Sequence, residues 1–196
     1  MSRPTEDKPA LLIIDMVRDN LDPDRPFPIT QFALKIVPAI NRLSNTFRKQ
    51  GWPVIFSTDA FHEQDFIFSG RMKPHSIAGT PGAKIADQLD YKPDTDVWLP
   101  KPRFSAFFRT GLFELLHKQK VTLCAVAGIA TNFCVLTTIM DALCCDFKAV
   151  LLEDCTAASS ENIHEGVLAL YRRNPLYPLF RVTTSRDLEE ILSIPG

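Results

Sequence analysis

Residues 121–152 read VTLCAVAGIATNFCVLTTIMDALCCDFKAVLL, and this stretch decides the fold. Positions 121–127 and 149–152 are short apolar runs, typical of strands that are buried on both faces of a sheet. Between them, a turn containing Gly128 leads into a mostly apolar helical pattern at 131–145. A strand, a helix and a second strand in this order predict a right-handed βαβ unit with two parallel strands.

The same alternation extends towards both ends of the chain. Pro38 is expected to perturb or restart the first long helix, because proline cannot donate a backbone hydrogen bond. Six strands separated by helices predict one three-layer α/β domain over residues 1–196, with a six-stranded parallel sheet covered on both faces. The further predicted strands are 10–14, 54–57, 97–99 and 179–182, and the further helices are 32–49, 83–89, 110–119, 161–173 and a short one from Ser185.

Composition argues against charged macromolecular partners. The 196-residue chain has 45% hydrophobic and 23% charged residues and a formal net charge of -1, which is ordinary for a globular domain. We therefore expect neither nucleic acid nor a membrane as a partner. No segment approaches the roughly 20 apolar residues that cross a bilayer. The five cysteines are odd in number and lack CxxC spacing, so we expect reduced thiols and a cytoplasmic protein.

Three predicted strands lead into residues that could carry out chemistry together. Asp15 ends the first strand, Lys101 lies just past the third, and Cys134 lies in the first turn of the helix after the fourth. The carboxyl ends of parallel strands meet at one edge of a sheet, where sites form in open α/β folds. Taken singly, Asp15 could be a turn or capping residue, Lys101 a solvated side chain and Cys134 a packing residue.

Together these residue types supply the parts of a nucleophilic mechanism. The helix N-terminus and a nearby lysine are both expected to favour the thiolate of Cys134, which is the nucleophilic form. Asp15 can accept the thiol proton and later protonate a leaving group. The backbone N–H groups from Ile129 to Cys134 have no partners within the helix, so they can stabilise an oxyanion.

Four motifs also carry a family resemblance that covers nearly the whole chain. In chain order they are IIDMVRDN, KPRFSAFF, GIATNFCV and LEDCTAA, and HSIAGTPGA at 75–83 adds a fifth similar segment. The chain resembles the isochorismatase-like cysteine hydrolases, which include nicotinamidases. The resemblance implies a six-stranded Rossmann-like fold and an Asp–Lys–Cys triad, which maps onto Asp15, Lys101 and Cys134.

The resemblance also implies a non-proline cis peptide between Ile129 and Ala130, and an oxyanion hole formed by the N–H groups of Ala130 and Cys134. Isochorismatases proper act on a vinyl ether and lack the cysteine, so Cys134 indicates hydrolysis of a small amide or related C–N bond through a thioester. The alternatives are a metal-assisted nicotinamidase and a non-catalytic binding module that retains the fold. The expected partners are a small-molecule substrate and further copies of the chain, as a dimer or tetramer.

Departures from the family pattern affect the substrate pocket. Many relatives read DxQNDF where this chain reads DMVRDN, so Asn20 replaces a pocket-lining aromatic residue. Phe133 stands where some nicotinamidases place a histidine. With Phe104 and Phe108 it could form an aromatic wall for a flat or apolar substrate, or these side chains could belong to the core. Phe107 is a further candidate for either role.

The long irregular segment 59–82 raises the question of a metal. Nicotinamidases bind a divalent metal through an Asp-x-His pair and a further histidine. Asp59 and His62 stand one residue further apart than in that motif, and His75 matches the later histidine. Zinc, manganese or iron would suit such ligands. The shifted spacing favours a reaction that requires no cofactor, with His75 contacting substrate or supporting the loop.

Other charged residues of the segment have competing interpretations. Arg71 or Lys73 could bind a substrate carboxylate, and bidentate arginine suits that group. The segment could instead be a lid or an oligomer contact. Elsewhere, His117 and His164 lie in helical patterns and are expected to face solvent.

Overall fold

The computed structural model describes residues 7–192, so the outermost residues of the predicted 1–196 domain lie outside it. Its centre is one six-stranded sheet in the order β3-β2-β1-β4-β5-β6, and every pair of neighbouring strands is parallel. The prediction of a six-stranded parallel α/β sheet is therefore confirmed. The strands are β1 Pro9–Ile14, β2 Val54–Asp59, β3 Val97–Lys101, β4 Leu123–Ile129, β5 Lys148–Ala157 and β6 Phe180–Thr183.

The strand order reverses at β1, which pairs with β2 on one side and β4 on the other. All residues of β1, β2 and β4 are buried, as the continuous apolar sequences of β1 and β4 predict; β2 also buries its polar second half, which ends at Asp59. A crevice forms at the carboxyl ends of the strands at such a reversal, because the following connections leave in opposite directions.

Helices cover both faces of the sheet. One core lies between the sheet and α2 with α6, and the other lies between the sheet and α3, α4 and α5. This arrangement confirms the predicted three layers. The helices are α1 Arg18–Leu21, α2 Thr30–Lys49, α3 Leu112–Lys118, α4 Leu136–Cys144, α5 Glu161–Tyr171 and α6 Ser185–Ile191.

The structure corrects three local predictions. Helix α2 continues through Pro38, which lies on the exposed side of the helix, where water can solvate the carbonyl that loses its partner. The predicted helix 83–89 is absent: a 3₁₀ turn at Pro81–Ala83 leads into Ile85, which pairs with Val17. This backbone pairing replaces a helical ladder. The predicted helix 131–145 begins as one π-helical turn, Thr131–Val135, before α4.

No helix within residues 7–192 is both long enough and apolar enough to cross a bilayer.

Candidate active site

Four strands place polar side chains at the crevice where the strand order reverses. Asp15 follows β1, Asp59 ends β2, Lys101 ends β3, and Cys134 lies in the π-helical turn after β4. All four residues are buried, although three of them, Asp15, Asp59 and Lys101, are charged residue types that usually need partners inside a protein. The structure thus brings together Asp15, Lys101 and Cys134, the three residues that the sequence analysis singled out, and adds Asp59.

The backbone around Asp15 holds its carboxylate in the crevice. Asp15 has a φ of 55°, a left-handed conformation that aspartate tolerates better than most residues. Its N–H donates to the carbonyl of Ser57 at 3.0 Å, and its carbonyl accepts from Asn20 Nδ2 at 2.9 Å. Its Oδ1 accepts from the backbone N–H of Asp59 at 2.8 Å. Both ends of the residue are therefore fixed, and Oδ2 is left to meet Lys101.

Lys101 is completely buried and joins two carboxyl groups. Its Nζ donates to Asp15 Oδ2 at 2.9 Å and also to Asp59 Oδ1. Burial alone would lower the pKa of Lys101, but the neighbouring acidic groups, Asp15 first among them, together outweigh this effect and raise the pKa above its ordinary value. Lys101 is therefore a permanent cation at the centre of the cluster.

Asp59 is the partner of Lys101 that sequence reasoning missed. The two residues are aligned across neighbouring strands, which explains their contact. Burial, and then the charge of Asp15, raises the pKa of Asp59 to about 8, although Lys101 opposes the shift. Asp59 is consequently mostly neutral at pH 7, and the single charge of Lys101 balances Asp15.

The thiol of Cys134 faces this charged pair. The Sγ atom and one carboxyl oxygen each of Asp15 and Asp59 lie within 4.8 Å of one another. Burial raises the pKa of Cys134 well above its ordinary value, the charge of Asp15 adds to the rise, and Lys101 opposes it. The expectation that the thiolate is favoured in the free site is therefore wrong, because the cost of burying a second negative charge exceeds the help from Lys101. The resting group is a thiol beside a carboxylate base.

The turn that carries Cys134 starts at a cis peptide bond between Ile129 and Ala130. The carbonyl of Ala130 accepts from the N–H groups of Phe133 at 2.9 Å and Val135 at 3.3 Å, which closes the turn. Ala130 and Cys134, the two residues expected to form an oxyanion hole, line the same cavity.

Gly128 allows this turn to approach the neighbouring strand. Its φ of 101° is in the left-handed region, and a Cβ at this position would lie 2.1 Å from the carbonyl oxygen of Ile14. A side chain here would collide with backbone directly before Asp15. The glycine therefore sets the distance between the two halves of the site, and only its place in the GIATNFCV motif signals this from sequence.

The cavity above the thiol has a volume of about 170 Å³ and a largely apolar lining. Of the predicted pocket residues, Asn20, His75, Phe104 and Phe133 line it. The predictions for Arg71 and Phe108 are wrong. Arg71 is exposed, and its neighbour Met72 faces the cavity instead.

Phe108 lies on the far side of Phe104, where it lines an adjoining groove with Phe66 and Ile67. Phe104 lines both the cavity and this groove, whereas Phe108 lines only the groove. Within the segment after β3, the N–H of Ala106 donates to Thr138 Oγ1 on α4 at 3.0 Å, which anchors the loop that carries Phe104.

The predicted metal ligands Asp59, His62 and His75 do not form a common site. Side chains of an extended chain alternate, so the residue that shares the pocket side with Asp59 is Phe61, and His62 is exposed. The ring of His75 packs edge-on against Phe61 at 5.7 Å, and its Nδ1 lies 2.9 Å from the carbonyl of Lys73. The donor set therefore does not fit a divalent metal held by one aspartate and two histidines.

His164 also departs from its prediction. It is partly buried, and its Nδ1 lies 2.9 Å from Thr131 Oγ1, at the start of the turn that carries Cys134. The sequence gives no direct signal for this contact, because it joins helix α5 to a turn 33 residues earlier.

The sheet, and the polar cluster at its carboxyl edge, place the protein among α/β enzymes. The chain belongs to the isochorismatase family, a family of hydrolases, because residues 9–187 match its domain. The resemblance noted from the motifs is thereby confirmed. A probable inactive nicotinamidase of Arabidopsis thaliana is 33% identical over 168 residues, which cover 79% of this chain and 83% of the relative.

Two solved structures show the same similarity in three dimensions. The N-carbamoylsarcosine amidase of Thermoplasma acidophilum is 27% identical with a TM-score of 0.76, over 91% of this chain and 96% of that chain. The pyrazinamidase of Pyrococcus horikoshii in complex with zinc is 26% identical with a TM-score of 0.76, over 90% of this chain and 99% of that chain. Amidohydrolases are thus among the structural neighbours of this protein.

Proposed function

We propose that the protein is a cysteine hydrolase that cleaves the C–N bond of a small amide. The observation that carries the proposal is a thiol at the floor of one cavity within 4.8 Å of the Asp15 carboxylate, which in turn binds the ammonium group of Lys101 beneath the cavity. These groups have the relation of a nucleophile, its general base and the cation that keeps the base ionised. The amidohydrolases among its neighbours act on the same type of bond.

In the first half of the reaction, Asp15 takes the proton of the Cys134 thiol while Sγ bonds to the carbonyl carbon of the substrate. The C=O electron pair moves onto oxygen, and the N–H groups of Ala130 and Cys134 bind the resulting oxyanion. When the carbonyl re-forms, the C–N bond breaks and the protonated Asp15 gives its proton to the departing nitrogen. Ammonia or an amine leaves, and an acyl thioester remains on Cys134.

In the second half, water replaces the leaving group and follows the same path. Asp15 takes a proton from water as its oxygen attacks the thioester carbon. Collapse of the second tetrahedral intermediate breaks the C–S bond, and the sulfur recovers its proton from Asp15. The carboxylic acid leaves, and the free site returns to its starting protonation state. Lys101 stays cationic throughout.

The cavity lining supports an uncharged substrate with a flat or apolar body. Within residues 7–192, neither arginine nor lysine is among the residues that line the cavity. An anionic substrate would instead meet the carboxylate of Asp15. Phe104 and Phe133 stand over the thiol with their ring centroids 6.2 Å apart, which suits a planar group placed against an aromatic face.

The test is a screen of small uncharged amides for ammonia or amine release by wild-type protein and by Cys134→Ala. We expect turnover in the wild type, none in Cys134→Ala, and unchanged turnover in Cys144→Ala, which removes an exposed cysteine. Hydroxylamine should intercept the acyl thioester as a hydroxamate. Equal turnover in wild type and Cys134→Ala would refute the mechanism. No turnover of any amide by the wild type would support a non-catalytic binding module instead.

A further inference from the structure

The turn that carries Cys134 is tied to helix α5 by one pair of side chains. Thr131 is the first residue of that turn and is completely buried. It directly follows Ala130 and stands three residues before Cys134. Its Oγ1 lies 2.9 Å from Nδ1 of His164. The Thr131 hydroxyl thus joins the turn to a residue outside it, between the two predicted oxyanion donors, Ala130 and Cys134.

The second ring nitrogen of His164 fixes the direction of these hydrogen bonds. Nε2 lies 3.2 Å from the backbone carbonyl oxygen of Glu153 on β5. A carbonyl oxygen only accepts, so Nε2 carries the hydrogen, which leaves Nδ1 as the ring nitrogen that can accept. The Thr131 hydroxyl therefore donates to Nδ1. The imidazole connects a central strand to the nucleophile turn through two bonds of defined direction.

Helix α5 also packs on the sheet through Leu168, with Val167 and Tyr171 partly buried against the same core. Leu168 is the one fully buried residue of the helix within its described length. Ser160 Oγ accepts from the N–H of Ile163 and caps the helix one turn before His164, which defines where the histidine emerges. The imidazole of His164 thus adds a directional polar link between α5 and the turn to the apolar packing of the helix.

We propose that His164 and Thr131 form a positioning pair that holds the Cys134 turn in its reactive geometry. The inference rests on the proposed function, since it concerns the same thiol and the same oxyanion donors. Neither residue touches the substrate cavity, so the pair acts through the backbone of residues 130–134. Its loss is expected to shift the thiol and the N–H groups relative to Asp15 without altering the cavity walls.

The test uses Thr131→Val, which removes the hydroxyl at nearly constant volume, His164→Leu, and the double variant. We expect kcat to fall about 10- to 100-fold, as a misplacement near 1 Å produces, with little change in KM. The double variant should lose no more activity than the more impaired of the two single variants, because both changes break the same Thr131–His164 hydrogen bond. Thr131→Ser, which keeps a donor, should restore most of kcat.

Thr156→Val is the matched control. Thr156 is also buried on this side of the sheet, and its hydroxyl donates to the carbonyl of Leu152 within β5 rather than to the turn. We expect it to lower the melting temperature to a similar extent and to leave kcat unchanged. Equal losses of kcat in Thr156→Val and Thr131→Val, or additive losses in the double variant, would overturn the positioning role.

A readout that needs no substrate separates this inference from the proposed function. The alkylation rate of Cys134 by iodoacetamide, resolved by peptide mass spectrometry, should change in Thr131→Val and His164→Leu and stay at the wild-type value in Thr156→Val. If the wild type hydrolyses no amide but these rates differ as expected, the pair positions the turn and the proposed reaction fails. If the rates in all variants equal the wild-type rate, the positioning role is wrong whatever the protein hydrolyses.

Discussion

Replacement of Asp59 by asparagine should change how the stability of the protein depends on pH. Asp59 is buried beside Lys101 and Asp15, and burial raises its pKa to about 8. In the unfolded chain the same carboxyl group titrates near its ordinary value of 3.8. Between these two values the folded state binds one proton more than the unfolded state. The contribution of Asp59 to stability is therefore fully present below about pH 4 and is lost as the pH rises to about 8.

The size of the effect follows from the difference between the two pKa values. Each pH unit in this window costs the wild type about 1.4 kcal/mol from Asp59 alone. Between about pH 5 and pH 8 the loss amounts to about 3 to 4 kcal/mol, as an upper value that ignores relaxation of the site. Asp59→Asn keeps the backbone N–H that binds Asp15 and an oxygen for Lys101, but it binds no proton. The variant should gain on the wild type by this amount over that range.

The measurement is urea unfolding followed by tryptophan fluorescence. Trp98, whose Nε1 donates to Thr58 next to Asp59, reports on this region. The control is Asp87→Asn, because the Asp87 side chain is 75% exposed and pairs with Arg18 at the surface. We expect the difference between variant and wild type to grow with pH for Asp59→Asn and to stay constant for Asp87→Asn. Parallel pH profiles for wild type and Asp59→Asn would show that Asp59 is ionised, and the charge balance derived for the site would then be wrong.

Three further predictions concern the same site. Lys101→Met leaves buried carboxyl groups without their cation, so it should lower the free energy of unfolding in urea by about 3 to 5 kcal/mol and abolish turnover. A smaller loss of stability would mean that water replaces the ammonium group. Gly128→Ala should lower the free energy of unfolding by more than about 2 kcal/mol or prevent folding, because the new Cβ would lie 2.1 Å from a backbone oxygen. Gly51 also has a positive φ but has open space around it, so Gly51→Ala should lower the free energy of unfolding by only about 1 kcal/mol. In the free protein, alkylation of Cys134 should rise with pH later than that of free cysteine in solution, since burial raises the pKa of Cys134. Earlier titration of Cys134 would contradict the resting thiol.

The sheet could be predicted from sequence because each buried strand is a short apolar run between polar turns. The position of Asp15, Lys101 and Cys134 at one edge followed from the rule that parallel strands end together. What the rule does not supply is the register of one strand against the next. Asp59 was therefore considered only as a metal ligand, although its alignment with Lys101 makes it part of the charged cluster.

Loop residues were predicted less well, for a different physical reason. Side chains in helices and strands follow a fixed period, whereas those of irregular segments point wherever local turns direct them. The sequence therefore does not distinguish Arg71 from Met72 as the residue that faces the cavity. The error at His62 is instructive because an extended chain does have a period of two, and that period favours Phe61.

The charge state of the site explains how a deeply buried thiol can be a nucleophile. At rest, Lys101 carries one positive charge, Asp15 one negative charge, and Asp59 and Cys134 are mostly neutral. A preformed thiolate would add a second buried negative charge, which the raised pKa of Cys134 opposes. In the proposed reaction the proton of Cys134 moves to Asp15 as sulfur attacks, so the negative charge passes from the carboxylate to the substrate oxygen. The net charge near Lys101 is the same before and after this transfer. Burial therefore adds no charge-separation cost to the step that forms the new bond. This is why we expect reactivity to depend on the alignment of thiol, base and oxyanion donors more than on a low thiol pKa.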